Sequence, residues 1–278
     1  MNAIEIRGLC KRRGSFCMER LDFAVPSGCI LGLVGENGAG KTTLIRLILN
    51  MLKPDAGSVR VLGGDPARTA IRQDIGVVLD TAGIPDCLSA AQLGSILKHI
   101  YQNWDEQAYA HHLERLALPS QKSFKEFSRG MKMKLSIAAA LSHHPKLLVL
   151  DEATSGLDPV VRDEVLEMLN EFTRGEDRSV LMSSHIVSDL EKACDYIAFL
   201  HHGRLLLCEE KDRLLEDYAI LHCTAEALSA LDAGAVLGKK CSPYGVQALV
   251  LREAVPAGWQ LSPVSIEELF VFMIKEAA

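Results

Sequence analysis

The sequence predicts an α/β fold with a largely parallel sheet, an antiparallel β subdomain before it, a helical insertion and a small C-terminal extension. Three observations predict this architecture. Apolar runs of strand length alternate with helix-like segments through the middle of the chain. Residues 3–34 alternate apolar and polar positions, which is typical of antiparallel strands. Two helical patterns follow one another between residues 89 and 116 without a strand between them.

Length and charge narrow the class of protein. The 278 residues allow one large domain and a small appendage. A formal net charge of −6 provides no basic field for nucleic acid, so we expect no nucleic-acid partner. The N-terminus lacks a signal-peptide core, and no apolar run approaches the roughly 18 residues that span a bilayer. We therefore expect a cytosolic protein unless a partner holds it at a membrane.

Cysteines and histidines give no sign of a metal centre. Eight cysteines are scattered without a C-x-x-C pair, which favours a reducing compartment and structural thiols. Adjacent histidines occur at 111/112, 143/144 and 201/202. Neighbours on a helix or strand point apart, and no second ligand cluster accompanies these pairs. We expect these histidines at the surface and no stably bound metal of the protein's own.

The first element with specific chemistry is the segment GENGAGKTT, residues 35–43. An apolar run at 29–34 precedes it and a helix-like run at 44–49 follows. Gly35, Gly40, Lys41 and Thr42 occupy the fixed positions of the phosphate-binding pattern G-x-x-x-x-G-K-[ST], in the strand, loop and helix context that it requires. Glycines let backbone N–H groups wrap a polyanion, and the helix adds its positive end. Lys41 is expected to reach the β/γ-phosphates and Thr42 to ligate Mg²⁺.

The middle of the chain continues the alternation. Turns at 53–57 and 63–66 flank a short strand at 58–62, and residues 75–79 predict a strand buried on both faces that ends at Asp80. Ser89 and Gln92 have capping-box spacing at the start of a helix. Its apolar stripe consists of Leu93, Ile96, Leu97, Ile100 and Tyr101. A second helix is predicted from about 105 to 116.

Polar residues then follow predicted strands and open predicted helices. Ser128 is a natural N-cap for a helix that Pro145 ends. The strand at 146–150 terminates in Asp151 and Glu152, a costly placement unless a cation such as Mg²⁺ partners them. A turn at 155–159 leads to a helix at 160–172, and a strand at 179–183 ends beside His185. Strands are also predicted at 196–200 and 204–208.

These motifs, in this order, resemble the ATP-binding subunits of ABC transporters over roughly residues 3–215. The resemblance implies a P-loop NTPase (RecA-like) core in an ATPase domain at 1–210, with a helical subdomain at about 81–135. Residues 211–278 are then a C-terminal extension. The implied ligands are ATP and Mg²⁺.

The resemblance also implies roles for single residues. Glu152 matches the general base, His185 the residue at the γ-phosphate, and Lys41 the phosphate-binding lysine. Thr42, Asp80 and Asp151 match the positions around Mg²⁺. The remaining nucleotide contacts are Arg13 at the base, the loop residues Gly35, Asn37, Gly38, Ala39, Gly40, Lys41, Thr42 and Thr43, and the positions Ser128, Gly130 and Asp158. In that family Ser128 and Gly130 serve the opposite subunit of a head-to-tail homo- or heterodimer, and Asp158 lies in the turn that crosses the dimer.

Three positions depart from the family pattern. Asp80 replaces the usual glutamine, so it retains a metal-binding oxygen but cannot donate a hydrogen bond. The signature reads FSRGM, with Arg129 in place of a glycine. The aromatic residue that usually stacks on adenine is replaced by Arg13, and either its guanidinium or nearby Phe16 is expected to take over.

The C-terminal segment and the partners follow from pattern and resemblance together. A helix is predicted at 211–218, strands at 219–223 and 246–252, and a final helix from Ser265, which has capping-box spacing with Glu268. The ending SIEELFVFMIKEA is similar to the tails of ABC-2 type exporter subunits. It predicts either a dimerisation or docking domain or a simple packing extension. The resemblance further implies a separate permease that inserts a helix near residues 81–104 and holds the protein on the cytoplasmic face of the membrane.

Three functions are compatible with these motifs. The first is an ATP-hydrolysing subunit that powers transport through a permease. The second is a soluble ATPase of the same type acting in translation or on chromosomes, although the chain has one cassette and no long coiled coil. The third is a regulatory module that binds ATP with little hydrolysis, an idea motivated by Asp80, Arg13 and Arg129.

Overall fold

The computed structural model describes residues 2–79, 83–175, 177–229, 231–242, 245–256 and 258–277. Asp80 and Thr81, at the start of the predicted helical insertion, lie outside these ranges. The strands are β1 Asn2–Arg13, β2 Phe16–Pro26, β3 Ile30–Val34, β4 Ala56–Val61, β5 Ile75–Val78, β6 Leu147–Asp151, β7 Ser179–Ser184, β8 Tyr196–His201, β9 Arg204–Glu210, β10 Tyr218–Cys223, β11 Val236–Ser242, β12 Gly245–Leu251 and β13 Leu261–Ser262. The α-helices are α1 Lys41–Ile48, α2 Thr69–Gln73, α3 Ala90–Ile100, α4 Glu106–Arg115, α5 Arg129–Leu141, α6 Pro159–Thr173, α7 Val187–Ala193, α8 Lys211–Asp217, α9 Ala225–Leu228 and α10 Ile266–Ala277.

The central sheet has six strands in the order β5-β6-β7-β3-β8-β9. All pairs are parallel except β8 with β9, which confirms the predicted α/β class. Strands β3, β6 and β7 are buried along their whole length. Alternate residues of β3 point into two apolar clusters, Ile30 and Val34 into one, Leu31 and Leu33 into the other. This explains why β3 and most of β6 read as continuous apolar runs.

A three-stranded antiparallel sheet in the order β2-β1-β4 packs beside the central sheet, as the alternating N-terminal pattern predicts. Its β1–β2 hairpin turns at Gly14, whose φ of 60° belongs to the left-handed region that favours glycine. The hairpin places Arg13 opposite Phe16. Arg13 and Phe16 therefore lie side by side at the tip of the hairpin.

The helical insertion begins with a complete capping box. The Ser89 hydroxyl accepts the Gln92 N–H, and the Gln92 side chain accepts the Ser89 N–H. Asp105 caps α4 in the same manner by accepting from two backbone N–H groups. The apolar stripe of α3 is only partly buried, because Leu93 faces the core whereas Ile96 and Ile100 are 43% and 55% exposed.

The C-terminal extension is a four-stranded sheet, β11-β12-β10-β13, followed by α10. Phe270 of α10 packs on Phe199 of β8 with ring centroids 5.1 Å apart, and Leu269 is fully buried in the same cluster. The predicted Ser265–Glu268 cap forms. The extension thus shares a core with the central sheet. Sequence reasoning missed α2, α7, α9, β11 and β13.

The expectation of surface histidines is wrong for two of them. His143 and His201 are 1% and 6% exposed. His143 stacks on Tyr101 at 3.8 Å and its Nε2 lies 3.2 Å from the Ile75 carbonyl oxygen. Both rings pack against residues that are distant in sequence. The occurrence of two adjacent histidines does not reveal such burial. None of the helices in the described ranges combines the length and hydropathy that a membrane span requires.

Candidate functional site

The site forms where three neighbouring strands end. Strand β3 leads into the 35–43 loop, β6 into Asp151 and Glu152, and β7 into His185. Parallel pairing places Val34 opposite Ser184 and Asp151 opposite Ser183, so these ends meet at one edge of the sheet. A cavity of about 530 Å³ opens there, a size suited to a small-molecule ligand. It is lined by Arg13, Phe16, Glu36, Asn37, Gly38, Gly40, Lys41, Thr42, Thr43, Glu152, Ser155 and His185.

The loop has the backbone that its glycines permit. Gly38 and Gly40 have φ values of 86° and 110°, which L side chains rarely adopt. A Cβ at Gly40 would lie 2.6 Å from Cζ of Phe16, and one at Gly35 would lie 2.6 Å from the Leu200 carbonyl oxygen. The loop is therefore confined between the β1–β2 hairpin and the end of β8.

Helix α1 begins at Lys41 with no side chain capping its first turn. Its leading N–H groups and its helix dipole are directed toward the cavity end of the helix, where an anion would be stabilised. Lys41 is 6% exposed, and its Nζ donates to the Gly35 carbonyl oxygen at 2.6 Å. This geometry keeps a buried positive charge beside the loop.

Glu152 connects the lysine to the histidine. Its Oε1 lies 3.2 Å from Lys41 Nζ, and its Oε2 lies 2.5 Å from His185 Nδ1. The residue has a φ of 54°, and its N–H donates to the Ser183 hydroxyl and carbonyl oxygens. A residue other than glycine in this left-handed backbone conformation costs about 1–3 kcal/mol, and such strained residues are typical of functional sites. A phosphate that reaches Lys41 must compete with this carboxylate.

Asp151 is 4% exposed, and its Oδ1 accepts the Ser183 hydroxyl proton at 2.7 Å. Within the described parts of the chain, no lysine, arginine or histidine pairs with this carboxylate. A buried carboxylate without a cation is unfavourable. The Asp151 carboxylate and the Thr42 hydroxyl at the start of α1 are oxygen donors of the type that Mg²⁺ prefers.

Ser128, Gly130 and Asp158 do not line this cavity. The Ser128 hydroxyl caps α5 by accepting the Met131 N–H, and Asp158 caps α6 by accepting the N–H groups of Val160 and Val161. The two helix starts are adjacent, because a Cβ at Gly130 would contact the Val161 side chain at 3.4 Å. The remaining loop residue, Ala39, is buried beneath the loop and accepts the Gly203 N–H.

Two cavity residues were missed as site residues. Ser155 donates its backbone N–H to the Glu152 carbonyl oxygen, and its position at the start of the 155–158 turn was the available signal. Glu36 occupies a variable position of the loop motif and lies near the buried His201 ring, with Oε2 3.6 Å from Nδ1. Nothing in the sequence pattern indicates that contact.

Comparison with known proteins gives a consistent result. The family model described as ABC transporter matches residues 18–155. The chain is 31% identical to the ABC transporter ATP-binding protein YtrB of Bacillus subtilis, over 96% of this chain and 97% of that protein. It is 35% identical to the bacitracin transport ATP-binding protein BcrA of Bacillus licheniformis, over 73% and 68% of the two chains.

Solved structures share the fold. A protein described as an ATP-binding subunit of an ABC transporter superposes with a TM-score of 0.70 and 27% identity, over 77% of this chain and 92% of that one. A dimeric ATP-binding cassette bound to ADP and phosphate superposes with a TM-score of 0.67 and 19% identity, over 75% and 98%.

Proposed function

The chain belongs to the ABC transporter family, and from this membership we propose that it is the ATP-binding and ATP-hydrolysing subunit that powers transport through a separate permease. The observation that carries the proposal is the meeting of Lys41, Glu152 and His185 around one cavity at the ends of β3, β6 and β7. The relatives named as transport proteins favour this function over translation or chromosome maintenance.

The proposed chemistry is phosphoryl transfer to water. Lys41 and the N–H groups at the start of α1 bind the β/γ-phosphates and neutralise their charge. Glu152 orients and deprotonates the attacking water, and His185 contacts the γ-phosphate. The short Glu152–His185 contact supports these roles, because it places the proposed base within hydrogen-bond distance of the residue proposed to contact the γ-phosphate.

Thr42, Asp151 and Asp80 are proposed to hold Mg²⁺, with Asp80 contributing from outside the described residues. Bound Mg²⁺ supplies charge neutralisation between the phosphates. The buried Asp151 carboxylate supports this assignment, since a cation would relieve the cost of its burial. Arg13 and Phe16 lie at the cavity wall next to the loop and are proposed to contact the base.

The working unit is proposed to be a head-to-tail dimer. Ser128, Gly130 and Asp158 lie outside the cavity of their own chain, which agrees with their expected service to a second subunit. The dimeric cassette with the same fold provides a precedent for such an assembly. A capped helix start at Ser128 then supplies N–H donors and dipole to the opposite nucleotide.

A permease is proposed to dock along β5, the terminal strand of the central sheet. Cavities of about 150 and 300 Å³ lie along this strand, and Val77 and Tyr101 line both. Met51, Ile96 and Ile100 are large apolar side chains left 43–56% exposed in this region. An amphipathic permease helix would cover them and hold the protein on the cytoplasmic face.

Membrane recruitment tests the permease assignment, and ATP hydrolysis tests the enzymatic one. Purified protein should hydrolyse ATP, and membranes that contain the permease should stimulate the rate. Ile100→Asp should reduce the membrane-bound fraction severalfold while basal hydrolysis persists. Val271→Asp, at an exposed apolar position of α10, is the matched control. Equal membrane binding by both variants, or membrane binding in cells without the permease, would contradict the docking site.

A further inference from the structure

The turn at residues 155–158 lies between the cavity and α6. Its first residue, Ser155, donates its N–H to the Glu152 carbonyl oxygen. Its third residue, Leu157, accepts a hydrogen bond through its carbonyl oxygen from Arg162 Nη2 at 3.3 Å. The turn is thus attached to Glu152 at one end and to the first turns of α6 at the other.

Arg162 also faces a buried carboxylate. Its Nε lies 3.7 Å from Oδ2 of Asp189, which is 3% exposed. Neither of these two atoms has a hydrogen-bond partner in the described parts of the chain. A carboxylate buried this deeply is held by its counter-ion and, here, by its place in the first turn of α7. The pair therefore joins the start of α6 to the start of α7.

His185 lies between the end of β7 and the start of α7. Only Ile186 separates His185 from the first residue of the helix, Val187. The helix packs directly on β3, because a Cβ at Gly32 would lie 2.8 Å from Cys194 Sγ and 3.3 Å from Leu190 Cβ. A shift of Asp189 in the first turn of α7 would therefore act on the short segment that carries His185.

The other side of the turn contacts α5, the helix that begins in the FSRGM segment. The Arg129 guanidinium lies against Gly156, so closely that a Cβ at that position would collide with it. The start of α5 therefore touches the turn directly, and Gly130 lies near the Val161 side chain at the start of α6. The starts of α5 and α6 therefore both lie against the turn at 155–158 or next to it.

We propose that Arg162 is a positioning residue that couples the 155–158 turn to His185 through Asp189. The inference rests on the proposed ATPase function and deepens it. The turn and the start of α5 are the parts proposed to face the second subunit. When the partner displaces the turn, the Arg162–Asp189 pair carries that displacement to α7 and sets the distance between His185 and Glu152.

The test separates positioning from stability. Arg162→Leu should lower kcat at least tenfold with nucleotide affinity within threefold of wild type. Because this variant leaves Asp189 buried without a counter-ion, the double variant Arg162→Leu/Asp189→Leu removes both charges and should recover the unfolding temperature. Its kcat should remain low. Full recovery of kcat in the double variant would assign the pair a purely structural role and overturn the proposal.

A double-mutant cycle that combines Arg162→Leu with His185→Ala provides the second measurement. If Arg162 acts through His185, Arg162→Leu should produce no further loss of single-turnover rate in a His185→Ala background. Multiplicative losses would overturn the proposal. Glu164→Leu, which breaks the ion pair of α6 with Lys134 away from the turn, is the control and should leave kcat within threefold. If wild-type protein hydrolyses no ATP, the proposed function itself fails, independently of the Arg162 result.

Discussion

Replacing Glu152 with glutamine separates two effects of this carboxylate. Its Oε1 lies 3.2 Å from Lys41 Nζ, with side chains 18% and 6% exposed. At an effective dielectric constant of about 20, such a pair has a Coulomb energy of about 5 kcal/mol, which is an upper bound before solvation costs. The cost of desolvating the two groups offsets most of this attraction, and a net contribution of about 1.4 kcal/mol corresponds to a tenfold change in affinity. Because ATP phosphates must take over Lys41, removing the competing charge should strengthen ATP binding by about tenfold.

Turnover should change in the opposite direction. A positioned general base contributes about 10²–10⁴-fold, so Glu152→Gln should lower kcat by at least 100-fold while ATP binding is retained or improved. Equilibrium binding of a fluorescent ATP analogue and steady-state phosphate release measure the two effects. Glu164→Gln makes the same substitution outside the cavity and should alter neither. Undiminished hydrolysis would remove Glu152 from the proposed role, and unchanged affinity would refute competition for Lys41.

Three further predictions concern the cavity wall and the core. Arg13→Ala should reduce ATP affinity severalfold and change the ATP/GTP ratio; no change in either affinity would exclude Arg13 as a base contact. Gly40→Ala should reduce nucleotide affinity more than Gly38→Ala. Both positions have positive φ, but only a Cβ at position 40 would collide with Phe16. Equal losses of affinity would contradict this steric explanation. Burial lowers the pKa of His143 in the folded protein. As the pH falls through about 6.5, this histidine is therefore protonated in the unfolded chain before it is protonated in the folded one, and the free energy of unfolding decreases. His143→Gln should flatten the fall in unfolding temperature between pH 7.5 and 5.5, and an unchanged slope would assign it to other groups.

Much of the fold was predictable because its signals are local. The loop motif, the capping box at Ser89 and the acids at the end of β6 each depend on neighbours within a few residues. The contacts that organise the site are different, since Lys41–Glu152 and Glu152–His185 join segments that only the sheet brings together. The burial of His143 likewise depends on Tyr101, a residue 42 positions away. Motif order was enough to propose roles for these residues, whereas the pairing of their side chains could not be predicted.

The residues proposed to face a second subunit also stabilise their own chain. Ser128 and Asp158 are N-caps of α5 and α6, and replacing an N-cap with alanine costs about 1 kcal/mol. A loss of activity in Ser128→Ala or Asp158→Ala could therefore have two causes, a less stable helix start or a lost contact with the opposite nucleotide. Asparagine at 158 and aspartate at 128 preserve capping while changing the charge offered to the partner. Because a carboxylate at position 128 would repel a γ-phosphate but still cap α5, Ser128→Asp distinguishes service to the partner from stabilisation of the helix.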